Sequence, residues 1–338
     1  MSSSNGLNVN KRRRSVELSA REPYANLTLN QQIFSEALGQ YFGIPAENII
    51  PTAGTTGAIE AIRNHVFKTS ETKHPAFLMV SPGYWRARES FQGLGFEPVD
   101  FKTRHSDFTI DEEEIIRAVR AEKPELLYLS LPNNPTGAVF DPDIIIERIT
   151  AETTMVLDLT LPSGVINRKL LIKTLYHKFR GRKNLFLIAS TSKSHGTAEH
   201  RIGWIVCADA SDAEELRMEN RNGVSTISIA EGLKHIGKSP TSTKKIERSF
   251  ALLKRNEQGG RYEIVKPRQM VETSYVLVRS YVNANRLREI LERNNMHALW
   301  GSKFGLTDDY IRLDTLEPSN IKIFVDAINS LKEQAAGA

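Results

Sequence analysis

Asn184-Leu185-Phe186-Leu187-Ile188-Ala189-Ser190-Thr191-Ser192-Lys193-Ser194-His195-Gly196 is an apolar run of strand length that opens into small hydroxyl residues and one lysine. Arg201 stands eight positions after Lys193, and Gly203-Trp204 follow. An amine at the polar end of a buried strand is placed to form an imine. Two serine hydroxyls (Ser190, Ser192) and the Arg201 guanidinium converge there as donors for an anion, the guanidinium being the strongest.

Four further runs have the same character: 76–80, 126–131, 155–157 and 202–206. Stretches with helical spacing lie between several of them, at 59–67, 112–120 and 170–179. Strands alternating with helices predict an α/β fold with a mainly parallel central sheet covered on both faces. In such sheets ligands bind beyond the carboxyl ends of the strands. Those ends carry Ser81-Pro82-Gly83-Tyr84-Trp85, Pro132-Asn133-Asn134-Pro135-Thr136-Gly137, Asp158 and Lys193. An aromatic, an amide, an acid and an amine at four strand ends are most simply explained by one shared site.

The large domain is expected over 45–235. From about 236 the pattern changes to Lys/Arg/Glu-rich helices (244–258, 284–294), a strand at 273–279, Tyr310-Ile311-Arg312-Leu313-Asp314 and a closing helix over 321–333. These predict a smaller α+β domain built from 236–338 together with 21–44. Residues 1–20 are expected to be a flexible tail, with Lys11–Arg14 a solvated basic cluster rather than a nucleic-acid contact.

The 338 residues are 40% hydrophobic and 25% charged with a formal net charge of +5, the balance of a globular protein with no demand for nucleic acid. No run approaches the roughly 20 apolar residues of a membrane span. The lone Cys207 excludes an internal disulfide framework, so a cytoplasmic location is expected. Cys207 itself lies in an apolar run and reads as a buried strand residue. No metal-ligand set is expected.

Gly54-Thr55-Thr56-Gly57-Ala58 follows what reads as an apolar turn (Ile49-Ile50-Pro51) and opens a helix. Free amides and hydroxyls at a helix start suit an anion, making this stretch the second half of a phosphate cup beside Ser190, Ser192 and Arg201. Asp158, at the end of a buried strand, needs a cationic partner. A protonated pyridine nitrogen is one, and the pair keeps the ring electron-poor. The Asn134 amide suits a phenolic oxygen, and Tyr84, with Trp85 the alternative, offers a flat face for the ring. An imine-forming lysine, a phosphate cup, an acid for a pyridine and an amide for a phenol together describe pyridoxal 5'-phosphate.

Asn-Pro-Thr-Gly, then Asp, then Ser-x-Ser-Lys with arginine at +8 resembles the ordered signature of the fold-type I, class I/II pyridoxal-phosphate aminotransferases, in the histidinol-phosphate-aminotransferase-like branch. The resemblance runs from about Tyr24 to Arg312. It implies that Lys193 holds the cofactor as an imine and shuttles a proton at the substrate Cα, that Asp158 pairs the pyridine nitrogen and Asn134 the phenolic oxygen, and that Tyr84 stacks on the ring. Gly54, Thr55, Thr56, Ser190, Ser192 and Arg201 are implied for the phosphate. Arg312 is implied for the substrate α-carboxylate. Tyr24 is implied to reach the phosphate in the partner subunit, which requires a homodimer.

Departures are as informative. The family's tyrosine three residues after the aspartate is here Leu161, which removes a second donor to the phenolic oxygen. The N-terminal part is short, and Glu199-His200 stands where relatives have a small residue. Transamination between an α-amino acid and a keto acid is the leading expectation. Decarboxylation, elimination or replacement, cyclisation and oxidation start from the same bound state and stay open. A non-catalytic cofactor-binding regulator is the third reading. An acidic or phosphorylated substrate side chain calls for a second arginine in the pocket, and the sequence does not choose among Arg21, Arg86 and Arg88.

Overall fold

Strand and helix alternate through the first two thirds of the chain because each strand run is apolar throughout and each helix is apolar on one stripe. The computed structural model of the protein describes residues 23–103, 106–220 and 223–331, the side chains of 23–29 and 100 apart. In chain order the first part contains α1 (Pro23–Phe42), β1 (Ile49–Thr52), α2 (Gly54–Thr69), β2 (Ala76–Ser81), α3 (Trp85–Gly93), β3 (Glu97–Lys102), α4 (Glu112–Glu122), β4 (Leu126–Ser130), α5 (Pro142–Arg148), β5 (Thr154–Asp158), α6 (Arg168–Lys178), β6 (Leu185–Ser190), β7 (Gly203–Cys207), α7 (Ala210–Glu219) and α8 (Thr226–His235). Local signals set several starts. Asp111 caps α4 by accepting from Glu114 N–H, and Asn167 caps α6 through Leu170 N–H.

The large sheet has 7 strands in the order β1-β7-β6-β5-β4-β2-β3. Strands β3, β2, β4, β5 and β6 run parallel, and β7 is antiparallel to both β6 and β1. The alternating side chains of each strand feed two cores. Leu127, Leu129, Met155 and Leu157 enter one, and Leu126, Tyr128, Val156 and Phe186 the other. Cys207 is buried on β7, as its apolar neighbours predict.

Two expectations need correction. Ile49-Ile50-Pro51 is not a turn but the edge strand β1, paired with β7 through Ile50↔Ile205 and Pro51↔Trp204. An edge position is where a strand proline is tolerated, because its missing N–H is not owed to a neighbour. The stretch 21–44 is expected to join residues 236–338, but its helix α1 packs on the large sheet. Phe34, Leu38 and Phe42, spaced four apart on one helix face, enter the core that holds Ile49 and Trp204. The Phe34 and Phe42 ring centroids lie 6.5 and 6.0 Å from that of Trp204, and Ser35 Oγ donates to Ile49 O at 3.0 Å. The proposed tail, 1–20, lies outside the described residues.

The remainder forms α9 (Thr243–Glu257), β8 (Tyr262–Ile264), β9 (Tyr275–Ser280), α10 (Ala284–Arg293), β10 (Leu299–Trp300), β11 (Tyr310–Asp314) and α11 (Pro318–Ser330). A 4-stranded sheet, β10-β11-β9-β8, packs against these helices around Phe250, Val278, Leu291, Ile311 and Phe324. One link to the larger body runs through the loop after β4, where Val139 N–H donates to Gln269 O at 2.9 Å and Val271 N–H to Gly137 O at 3.0 Å. No helix among the described residues is long and apolar enough to cross a membrane.

Candidate active site

The carboxyl ends of β2, β4, β5 and β6 open into one cleft of about 310 Å³. It gathers Thr55, Thr56, Tyr84, Asn134, Asp158, Ser192, Lys193, Arg201 and Arg312 from across the chain. Two residues expected there stand behind it. Ser190 is fully buried and its Oγ lies 2.6 Å from Ser192 Oγ, so it orients that hydroxyl. Gly54 lies under Arg201. A Cβ at Gly54 would sit 2.8 Å from the guanidinium, and its φ of +70° suits glycine. The side chain of Tyr24, in the first turn of α1, lies outside the described residues.

Close backbone approach builds the hydroxyl-and-guanidinium end of the cleft. A Cβ on Gly203 would meet Gly54 C at 2.7 Å and Ala189 O at 2.9 Å, so β7 and the start of α2 touch only because residue 203 lacks one. That contact sets Thr55 and Thr56 beside the turn carrying Ser192 and Lys193. Arg201 spans the two, donating to Ala53 O at 3.1 Å, Thr56 Oγ1 at 3.4 Å and Ala198 O at 3.2 Å. Thr55 Oγ1 and Thr160 Oγ1 are 2.7 Å apart, which ties α2 to the loop after β5.

Asp158 ends β5 with its carboxylate buried. Tyr128 Oη donates to Oδ2 at 2.5 Å, and Thr160 N–H donates to Oδ1 at 2.9 Å. Burial raises the Asp158 pKa against these donors and the charge of Arg168. Arg168 is itself held under the floor of the cleft, donating to Ser190 O at 2.9 Å and Ser194 Oγ at 3.3 Å, and burial brings its pKa down to about 10. Tyr84 is pushed up to about 12 by burial and then by the Asp158 charge, so it is a neutral ring at physiological pH.

The smaller body closes the other side. Arg312 on β11 donates to Asn134 Oδ1 at 3.2 Å, and its guanidinium lies 3.9 Å from the ring centroid of Tyr275. The same ring lies 5.1 Å from Lys193 Nζ. Asn134 is positioned by its own loop, since its N–H donates to Ser130 Oγ at 3.2 Å. Neighbouring Asn133 ties that loop to Pro82 O at 3.0 Å.

An amine, a buried carboxylate, an amide and a hydroxyl-and-guanidinium cup thus share one cleft. A family model, "Aminotransferase class I and II", matches residues 11–328. The chain belongs to the class I and II aminotransferases. Pyridoxal 5'-phosphate is the cofactor of this family, and the cleft fits it, with the buried acid of Asp158 and the hydroxyl and guanidinium donors of Thr55, Thr56, Ser192 and Arg201 in one lining. The chain is 27% identical over 202 residues to a histidinol-phosphate aminotransferase of Ruminiclostridium cellulolyticum, covering 59% of this chain and 54% of that protein. The chain spans about half the length of that relative. The fold is shared with a histidinol-phosphate aminotransferase from Sinorhizobium meliloti in complex with pyridoxal-5'-phosphate (TM-score 0.68, 21% identity, 90% of this chain and 82% of that one). It is also shared with an L-threonine-O-3-phosphate decarboxylase from Porphyromonas gingivalis (TM-score 0.66, 21% identity, 89% and 88%).

Sequence reasoning missed four residues of this aminotransferase cleft and its floor: Tyr128, Thr160, Arg168 and Tyr275. Tyr128 left a signal, because a tyrosine in a strand covered on both faces must find a partner for its hydroxyl. Arg168 and Tyr275 left none, since each reaches the site only through tertiary packing.

Proposed function

We propose that the protein is an aminotransferase that takes the amine of an α-amino acid and passes it to a keto acid. The observation that carries this reading is the convergence of Lys193, Asp158, Arg201 and Arg312 on one cleft from separate elements. Pyridoxal phosphate, when bound, supplies an aldehyde for the amine and an electron-poor ring that takes up the charge left at Cα.

The chain's own residues divide the remaining work. Lys193 Nζ would hold the cofactor by its aldehyde and would serve as the base that moves a proton at the substrate Cα. Asp158 holds a proton on the pyridine nitrogen, and Tyr128 and Thr160 hold Asp158. Asn134 gives its oxygen to Arg312 and keeps its N–H groups for the phenolic oxygen. Thr55, Thr56, Ser192 and Arg201 bind the phosphate, and Ser190 acts through Ser192. Arg312 takes the α-carboxylate as a two-pronged donor. The same reading makes the protein a homodimer, with Tyr24 reaching the partner subunit's cofactor.

One observation favours a second reading. Leu161 lines the cleft and is 8% exposed, an apolar side chain where the resemblance places a hydroxyl. With one donor fewer to the phenolic oxygen, another reaction at Cα, such as decarboxylation, elimination or replacement, cyclisation or oxidation, becomes the alternative. The absorbance spectrum of the cofactor-loaded protein decides between them. Conversion to the amine form of the cofactor with an amino acid, reversed by a keto acid, supports transamination. A lasting spectral change that never reaches the amine form supports the alternative.

A further inference from the structure

Among the described residues, the charged side chains lining the cleft are Arg86, Lys193, Arg201 and Arg312 against the carboxylate of Asp158. On the reading above, Lys193 is taken by the cofactor's aldehyde, Asp158 by its ring nitrogen and Arg201 by its phosphate. Arg312 is taken by the substrate's α-carboxylate. Arg86 is left over; of the sequence's three candidates it lines the cleft and Arg88 does not, while Arg21 lies outside the described residues.

Arg86 is the second residue of α3, directly after Tyr84 and Trp85 at the carboxyl end of β2. Its guanidinium lies 5.1 Å from the Trp85 ring centroid. Lys303 lies 5.1 Å from the same ring but is paired with Glu89 at 3.5 Å. No carboxylate among the described residues pairs with Arg86. Its positive charge also acts on Arg312, helping to lower the Arg312 pKa beneath the larger effect of burial. Two guanidiniums facing one cleft repel each other, and a ligand carrying two separated negative groups relieves that repulsion while pairing both.

We propose that Arg86 receives a distal anionic group on the substrate side chain, a carboxylate or a phosphate ester, while Arg312 holds the α-carboxylate. The substrate class is then an α-amino acid, and the matching keto acid, with a second anion. This rests on the aminotransferase reading and adds to it the identity of the side-chain partner.

The test uses the full-length, cofactor-loaded protein and non-reacting probes, read by calorimetry or by titration of the cofactor's absorbance. The probes are the dicarboxylates malonate, succinate and glutarate, 3-phosphonopropionate, and the monocarboxylate butyrate. The wild type should bind its preferred dianion about 10–100-fold more tightly than butyrate, the range of one or two charge-assisted hydrogen bonds. In R86Q that ratio should fall toward one, and R86K should retain part of it. A phosphonate preference assigns the distal group as a phosphate, and a dicarboxylate preference as a carboxylate. A wild type that binds butyrate as well as every dianion, or an R86Q protein that keeps the dianion preference, overturns the assignment. The underlying reading fails separately, if no amino acid, neutral or acidic, converts the cofactor to its amine form.

Discussion

Tyr128 Oη donates to Asp158 Oδ2 at 2.5 Å from the adjacent parallel strand, with both groups buried. The sheet register places them. Tyr128 stands opposite Val156 and Ser130 opposite Asp158, so Tyr128 and Asp158 share a face two register positions apart. The carboxylate therefore presents itself to the cleft already held by a neutral donor. Burial, followed by the Asp158 charge, raises the tyrosine's pKa well above its usual value, so it remains a donor wherever the enzyme works.

Tyr128→Phe removes that donor without changing the shape of the core. Leaving a buried carboxylate one partner short should cost about 1–3 kcal/mol. Urea unfolding of the cofactor-free protein measures it. A variant as stable as the wild type would show that the hydroxyl contributes nothing to holding Asp158.

Asp158→Asn tests the same carboxylate by pH. Burial raises the folded-state pKa of Asp158 above the ordinary 3.8. Its contribution to the cofactor-free protein's stability is therefore fully present below 3.8 and lost as the pH rises through the raised value. The cofactor-free D158N protein should lose less stability than the wild type as the pH rises from about 4 through the raised value, while binding cofactor more weakly. Parallel pH profiles of melting temperature for the two proteins would remove Asp158 as a strained buried acid.

Lys193→Ala should lower turnover by at least about 10²–10⁴-fold, the share of a positioned proton-transfer group alone. Reduction with borohydride followed by peptide mapping should place the cofactor on Lys193 in the wild type. An adduct on another lysine would move the site. Arg312→Ala should raise KM for an α-carboxylate substrate by about 10²-fold or more, as expected for two charge-assisted hydrogen bonds. Arg312→Lys should not restore it, because an ammonium cannot reproduce the fork.

Gly203→Ala addresses the anion cup from behind. The added Cβ meets backbone, Gly54 C at 2.7 Å and Ala189 O at 2.9 Å, so α2 must shift away from β6 and β7. Overpacking of this kind costs about 1–3 kcal/mol. Equilibrium titration should show weaker cofactor binding, with Thr55 and Thr56 displaced from Ser192. Unchanged affinity would mean that the cup does not depend on this contact.

The central strands were legible because each is an apolar run that ends in a chemically distinctive residue, and Lys193, Asp158, Asn134 and Tyr84 could be read from those ends alone. A parallel sheet gathers its strand ends whatever the connecting helices do, so one cleft followed from the sequence. Edge strand β1 was missed because four residues containing a proline look like a turn until β7 pairs with them. The core that α1 enters was not legible in the stretch 21–44, because the period of Phe34, Leu38 and Phe42 declares a helix but not its partner.

The tertiary structure alone decided which side chains meet. Local pattern names the residue that ends a strand, whereas strand register set Tyr128 against Asp158. The docking of the smaller body brought Arg312 to Asn134 and Tyr275 to Lys193. Packing of α3 at the mouth of the cleft put Arg86 rather than Arg88 in its lining. These pairs are distant in sequence and held by packing, and no period or spacing along the chain encodes them.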